Sequence, residues 1–100
     1  MTISLRIGKG AKAKRAPVAT HEEFKREWQP GCAALALEQI PLMMDAGLSV
    51  APSEGADVLA ELYQLRGWMI AKGTAASTVT RVDQVIAAIR GQGADEVYVG

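Results

Sequence analysis

Chemistry near neutral pH needs a nucleophile, a titrating base or a set of metal ligands, and the chain offers one histidine, His21, and one cysteine, Cys32. Together they supply at most two of the three or four ligands of a zinc site. His21 stands beside Glu22 and Glu23 at a helix start, where an exposed polar role is the ordinary one. Cys32 lies in an Ala-rich apolar stretch and reads as a small buried hydrophobe. Gly8-Lys9-Gly10 lacks the spacing and the following Ser/Thr of a phosphate loop. The adjacent acids Glu22/Glu23 and Asp95/Glu96 read as solvated pairs rather than as a general acid with its base. These residues point to a noncatalytic protein with no catalytic, metal or cofactor site and no small-molecule substrate.

Residues suited to binding are easier to find. Arg6, Lys9, Lys12, Lys14 and Arg15 put five bases and no acid in the first 15 residues of a chain whose 11 bases and 11 acids otherwise balance. Such asymmetry marks an interaction tail, and its bland counterpart is a solvated arm. Trp28 and Trp68 are the two largest apolar side chains. Met43 and Met44, beside Leu42, suit either an adaptable contact surface or core filling. Val97 and Val99 lie in a terminal segment able to pair with the N-terminal strand or with a partner's sheet edge. These eleven residues are the expected partner-binding set. The bases could contact phosphates, although no interleaved aromatics and no helix-turn-helix, zinc-finger or RNA-sheet signature accompany them.

The elements that must position these residues follow from periodicity. Thr2 to Ile7 alternates as a short strand, and Glu96 to Val99 as a second. Lys9 to Ala19 has neither helical nor strand periodicity and is expected to be an extended arm. Thr20 and Glu23 form a capping box that starts a helix near His21, which Pro30 should end or turn. A second helix is expected from Pro30 to Ala46, apolar nearly all round, kinked at Pro41 and too apolar for one small neighbour to cover. A third opens at Pro52 and Ser53 and carries Val58, Leu62, Leu65 and Met69. A fourth, capped by Thr74 or Ser77, carries Val79, Val82, Ile86 and Ile89 and ends at Gly91. Leu37, Ile40, Leu62, Leu65, Ile86 and Ile89 are the expected buried positions.

The expected architecture is therefore mainly α: a compact bundle of three to four short helices (20–93), an extended basic N-terminal arm with a short strand (1–19) and a C-terminal tail with a short strand (94–100). At 100 residues, 49% hydrophobic and 22% charged, the chain is in the globular class. A single cysteine permits no disulfide within it, which suits a cytoplasmic setting or a larger intracellular or viral particle. The apolar run from Cys32 to Met44 is interrupted by Glu38, Gln39 and Pro41 and falls short of the roughly 20 residues that cross a bilayer.

The function expected is a noncatalytic protein-interaction or assembly subunit, in the general style of small bacterial or bacteriophage accessory proteins, with a protein partner or a second copy of itself. One alternative is a small nucleic-acid-associated protein using the basic arm. Another is an inhibitor or regulator of a larger enzyme complex.

Overall fold

The computed structural model describes residues 2–8 and 13–100. Among the described residues it is an α+β fold of three helices and a four-stranded antiparallel sheet, not a mainly α bundle with an extended arm. In chain order the elements are β1 (Thr2–Ile7), β2 (Lys14–Thr20), helix α1 (21–34), β3 (Leu48–Val50), α2 (Gly55–Ala71), α3 (Ala76–Arg90) and β4 (Val97–Val99). The sheet order is β2-β1-β4-β3, so the first and last strands of the chain pair at its centre.

The expected arm is in good part β2. Its sequence, KRAPVAT, hides a strand for two reasons. A bulge between Ile3 and Ser4 shifts the register, so consecutive residues Val18 and Ala19 are both buried and the period of two is lost. The other reason is that an edge strand tolerates Pro17 and the charged Lys14 and Arg15, which an interior strand would not. Residues 9–12 of that expectation lie outside the described residues.

The capping box forms as read: the Glu23 N–H donates to the Thr20 hydroxyl at 3.0 Å and the Thr20 N–H donates to the Glu23 carboxylate at 2.9 Å. Beyond it, α1 does not stop at Pro30. It passes through a wide turn at Phe24–Trp28, where the Gln29 N–H reaches back to the Phe24 carbonyl, and continues as Gln29–Ala34. A wide turn frees a position for a residue with no N–H to give, and Pro30 follows it directly.

The helix expected from Pro30 to Ala46 ends instead at Ala34. Ala36 turns left-handed (φ 54°), its N–H donates to the Ala33 carbonyl at 3.3 Å, and the Leu37 N–H donates to the Cys32 carbonyl at 2.9 Å. This is a Schellman stop built on alanine, and the missing glycine is why the sequence does not announce it. A single 3₁₀ turn, Ile40–Met43, and a turn closed by Gly47 (φ 90°) then lead into β3. The Glu61 carboxylate on α2 pins this segment, accepting from the backbone N–H groups of Gln39 at 3.0 Å, Ile40 at 3.1 Å and Glu38 at 3.3 Å.

One core joins every element. Ile3, Leu5, Leu48, Val50, Val97 and Val99 line the inner face of the sheet. Val58, Leu62, Leu65 and Met69 of α2 and Val82, Val85, Ile86 and Ile89 of α3 pack in the same cluster. Phe24 and Trp28 of α1 join it as a stacked pair with ring centroids 5.5 Å apart. Of the six residues expected to be buried, five are; Leu37 is half-buried, as the early end of α1 dictates. The α3 start carries no side-chain cap: Ala75 holds the position expected for Thr74 or Ser77. No helix of the described residues is long and apolar enough to cross a membrane.

Candidate functional site

Strand parity decides which residues the sheet presents outward. On β1 and β4 the buried residues are Ile3, Leu5, Val97 and Val99, so Ser4, Arg6 and Tyr98 occupy the opposite face. The pairing Arg15↔Arg6↔Tyr98↔Ser49 then runs straight across all four strands. Arg15 and Ser49 are exposed at the two edges, while Arg6 and Tyr98 are half-buried on the two central strands. An antiparallel sheet with one packed and one uncovered face is the normal outcome of this alternation.

The centre of that row has a defined geometry. The Arg6 guanidinium lies over the Tyr98 ring, 5.3 Å from its centroid, a cation–π arrangement. Tyr98 is held in place by two glycines: a Cβ on Gly100 would come within 2.6 Å of its hydroxyl oxygen, and one on Gly47 closer still. The Arg6 Nε is enclosed and meets no acceptor among the described residues. Glu96 follows on the same face, opposite Gly8, whose N–H donates to the Glu96 carbonyl at 3.1 Å. The row therefore has a cation at its β2 edge, where Arg15 is exposed, and the Glu96 carboxylate on β4's side at the end where β1 finishes; Lys14, paired with Ile7, takes the other face.

A second candidate is a cleft of about 110 Å³ where β2, α1 and α3 meet, lined by Val18, Ala19, Glu23, Glu27, Trp28, Ser77, Thr78 and Arg81. Most of its polar groups already have structural partners. Glu23 caps α1, and the Thr20 backbone N–H, followed by the Thr20 hydroxyl, holds its carboxyl below the usual range. The Thr78 hydroxyl donates to the Glu27 carboxylate. The Arg81 guanidinium donates to the Pro17 carbonyl at 2.9 Å, covering part of the outer edge of β2. The cleft is a joint between elements whose side chains are occupied in holding them together.

Cys32 is 3% exposed, and burial, reinforced by the Glu61 carboxylate, pushes its thiol up to about 11. A thiol so placed is a poor nucleophile at neutral pH. Among the described residues no three of His, Cys, Asp and Glu are grouped to hold a metal ion.

The expected partner-binding residues separate into three groups. Trp28, Met43, Val97 and Val99 are core residues, which removes them from any surface. The two valines lie in a strand, as expected, and that strand pairs with β1 and β3 of the same chain. Met44 and Trp68 are half-buried against the core, with the Lys72 ammonium 5.9 Å from the Trp68 ring centroid. Arg6 and Arg15 are on the uncovered face, Lys14 is exposed on the same edge strand with the opposite parity, and Lys9 and Lys12 lie outside the described residues. Tyr98 and Ser49 were not singled out from sequence. Tyr98 was legible in principle as the one aromatic inside the alternating terminal strand.

The class of molecule is thus a two-layer α+β domain with one sheet face left uncovered and basic along one side. No protein-family model, curated protein or solved structure matches the chain.

Proposed function

We propose that this chain is a noncatalytic binding module whose working surface is the uncovered face of the sheet with the basic β1–β2 hairpin beside it, and whose partner is anionic. The observation that carries the reading is the row Arg15–Arg6–Tyr98 across adjacent strands, with a guanidinium seated on an aromatic ring at its centre. Arg6, Lys14 and Arg15, three of the five bases of the first 15 residues, stand on the paired strands β1 and β2, so among the described residues that part of the charge asymmetry falls on one side of the sheet. Self-association, by contrast, was expected from an apolar helix over 30–46. That segment is the end of α1, a Schellman stop and a 3₁₀ turn, with Ile40 and Met43 fully packed inside. The apolar side chains that remain well exposed, Leu42, Tyr63 and Ile70, are the scattered exposures any small domain shows.

The test is the affinity of the wild-type chain for polyanions, read by fluorescence anisotropy at about 0.05 M and about 0.2 M salt. A surface that works by charge loses affinity across that range. Replacing Lys9, Lys12, Lys14 and Arg15 by Ala should weaken binding at least tenfold and leave the melting transition in place. Absence of binding at the lower salt, or equal binding by the variant, refutes the proposal.

A further inference from the structure

We infer that the anionic partner is a single-stranded nucleic acid, with one base stacked against the Arg6–Tyr98 pair and the sugar-phosphate chain running over Arg15 on the β2 side of the sheet. This rests on the reading above and narrows it to one class of polymer.

Three features favour that occupant over an acidic protein. Arg6 and Tyr98 stand on the two central strands, so the guanidinium seated on the ring is in the middle of a broad face, where a flat base can lie on it, and not at an edge. The guanidinium is over the ring and its Nε is enclosed, which removes one of the edges a carboxylate would grip with paired N–H bonds and leaves the plane of the group as its usable surface. Bases stack on guanidinium planes and aromatic rings without regard to sequence. Finally, Arg15 is opposite Arg6 on the neighbouring strand, about 5 Å away by sheet geometry, which places a cation for the phosphate next to the stacked base. Glu96, on the β4 side, repels phosphates there and directs the chain toward β2. A duplex fits less well, because its bases are read by elements that enter a groove, and this row lies flat on the sheet.

The experiment compares four labelled probes by anisotropy at one salt concentration: a 12-nucleotide oligothymidylate, an abasic phosphodiester of the same length and charge, the corresponding duplex, and polyglutamate. The oligothymidylate should bind at least tenfold tighter than the abasic chain, the discrimination expected of a single stacked base. Arg6→Lys, which keeps the charge and removes the plane, should lower oligothymidylate affinity several-fold and leave the abasic affinity unchanged. An oligonucleotide carrying 5-iodouracil should cross-link, on irradiation, to the peptide containing Tyr98. That measurement needs no variant and stands even if Arg6→Lys is unstable. Equal affinity for the oligothymidylate and the abasic chain overturns the inference while the anionic-partner reading survives. Tightest binding to polyglutamate or to duplex overturns it in favour of an acidic protein or of double-stranded DNA, and cross-linking confined to other peptides overturns it too. Failure of all four probes removes the reading on which it rests.

Discussion

Ala36→Gly is the substitution whose sign decides between two conformations of the same segment. In a helix running from 30 to 46, glycine at 36 would sit in mid-helix and cost about 1 kcal/mol against alanine. In the structure Ala36 is the left-handed residue of a Schellman stop, with φ at 54° and its side chain exposed, so no packing is lost on removing the methyl group. A left-handed conformation costs a non-glycine residue roughly 1–2 kcal/mol, and glycine returns part of that through its greater freedom when unfolded, about 0.4–1 kcal/mol. The net expectation is a gain of about 0.5–1 kcal/mol. For a domain of this size each kcal/mol moves the midpoint by about 4–8 °C, so the variant should melt about 2–8 °C above wild type. Calorimetry at neutral pH, paired with a urea titration, reads both values. Ala33→Gly is the control: it lies inside α1 and should destabilise by about 1 kcal/mol. Destabilisation by Ala36→Gly as large as that of the control would refute the stop and restore a continuous helix.

Glu61→Ala should cost about 2 kcal/mol, since it leaves the backbone N–H groups of Gln39 and Ile40 without their charged acceptor; hydrogen exchange should speed up at those two amides first, and unchanged protection there would exclude the pin. Cys32 should resist iodoacetamide at pH 8 until the protein unfolds. Because burial raises its thiol from 9.0 to about 11, the stability it contributes is complete below pH 9 and is lost as pH rises toward 11, a slope that Cys32→Ala should lack. Glu23 has the opposite sign: the Thr20 N–H lowers its carboxyl from 4.5, so its contribution is present above that value and is lost as pH falls through the lower folded value. Glu23→Gln should flatten the acid limb of the stability profile, and an unchanged limb would show that the capping pair does not respond to protonation.

What could be read in the sequence was whatever a local pattern encodes. β1, the Thr20–Glu23 box and the apolar spacing of α2 and α3 are each set by neighbours within a few residues, and they stand where the pattern puts them. The failures are places where tertiary context wins. β2 has its alternation erased by a bulge and a proline, β3 is three residues long, and α1 stops at an alanine where a glycine would have marked the end. The proposed binding face was legible by half. Charge is visible in any sequence, so Arg6 and Arg15 were found. Alternation, however, says only that residues 97 and 99 share a face and 98 takes the other; which face is inside depends on the helices it meets. Without that information Tyr98, the residue that gives the outward face its aromatic centre, is not distinguished from its neighbours.

The topology also limits where a partner can sit. A strand added from another chain would have to join β2 or β3, because β1 and β4, the terminal strands once free to pair elsewhere, are bonded on both sides. β2 is blunted by Pro17, which has no N–H to offer, by the Arg81 guanidinium on the Pro17 carbonyl, and by the bulge and the bases of its first two residues. β3 offers three residues, too few for a ladder of any strength. With both edges poor templates, main-chain pairing is the less favourable route, which supports the proposal that recognition uses side chains on the uncovered face. There the fold has set Arg6 and Tyr98 on the two strands that cannot move apart without opening the core, so the stacked pair is preorganised for whatever lies on it.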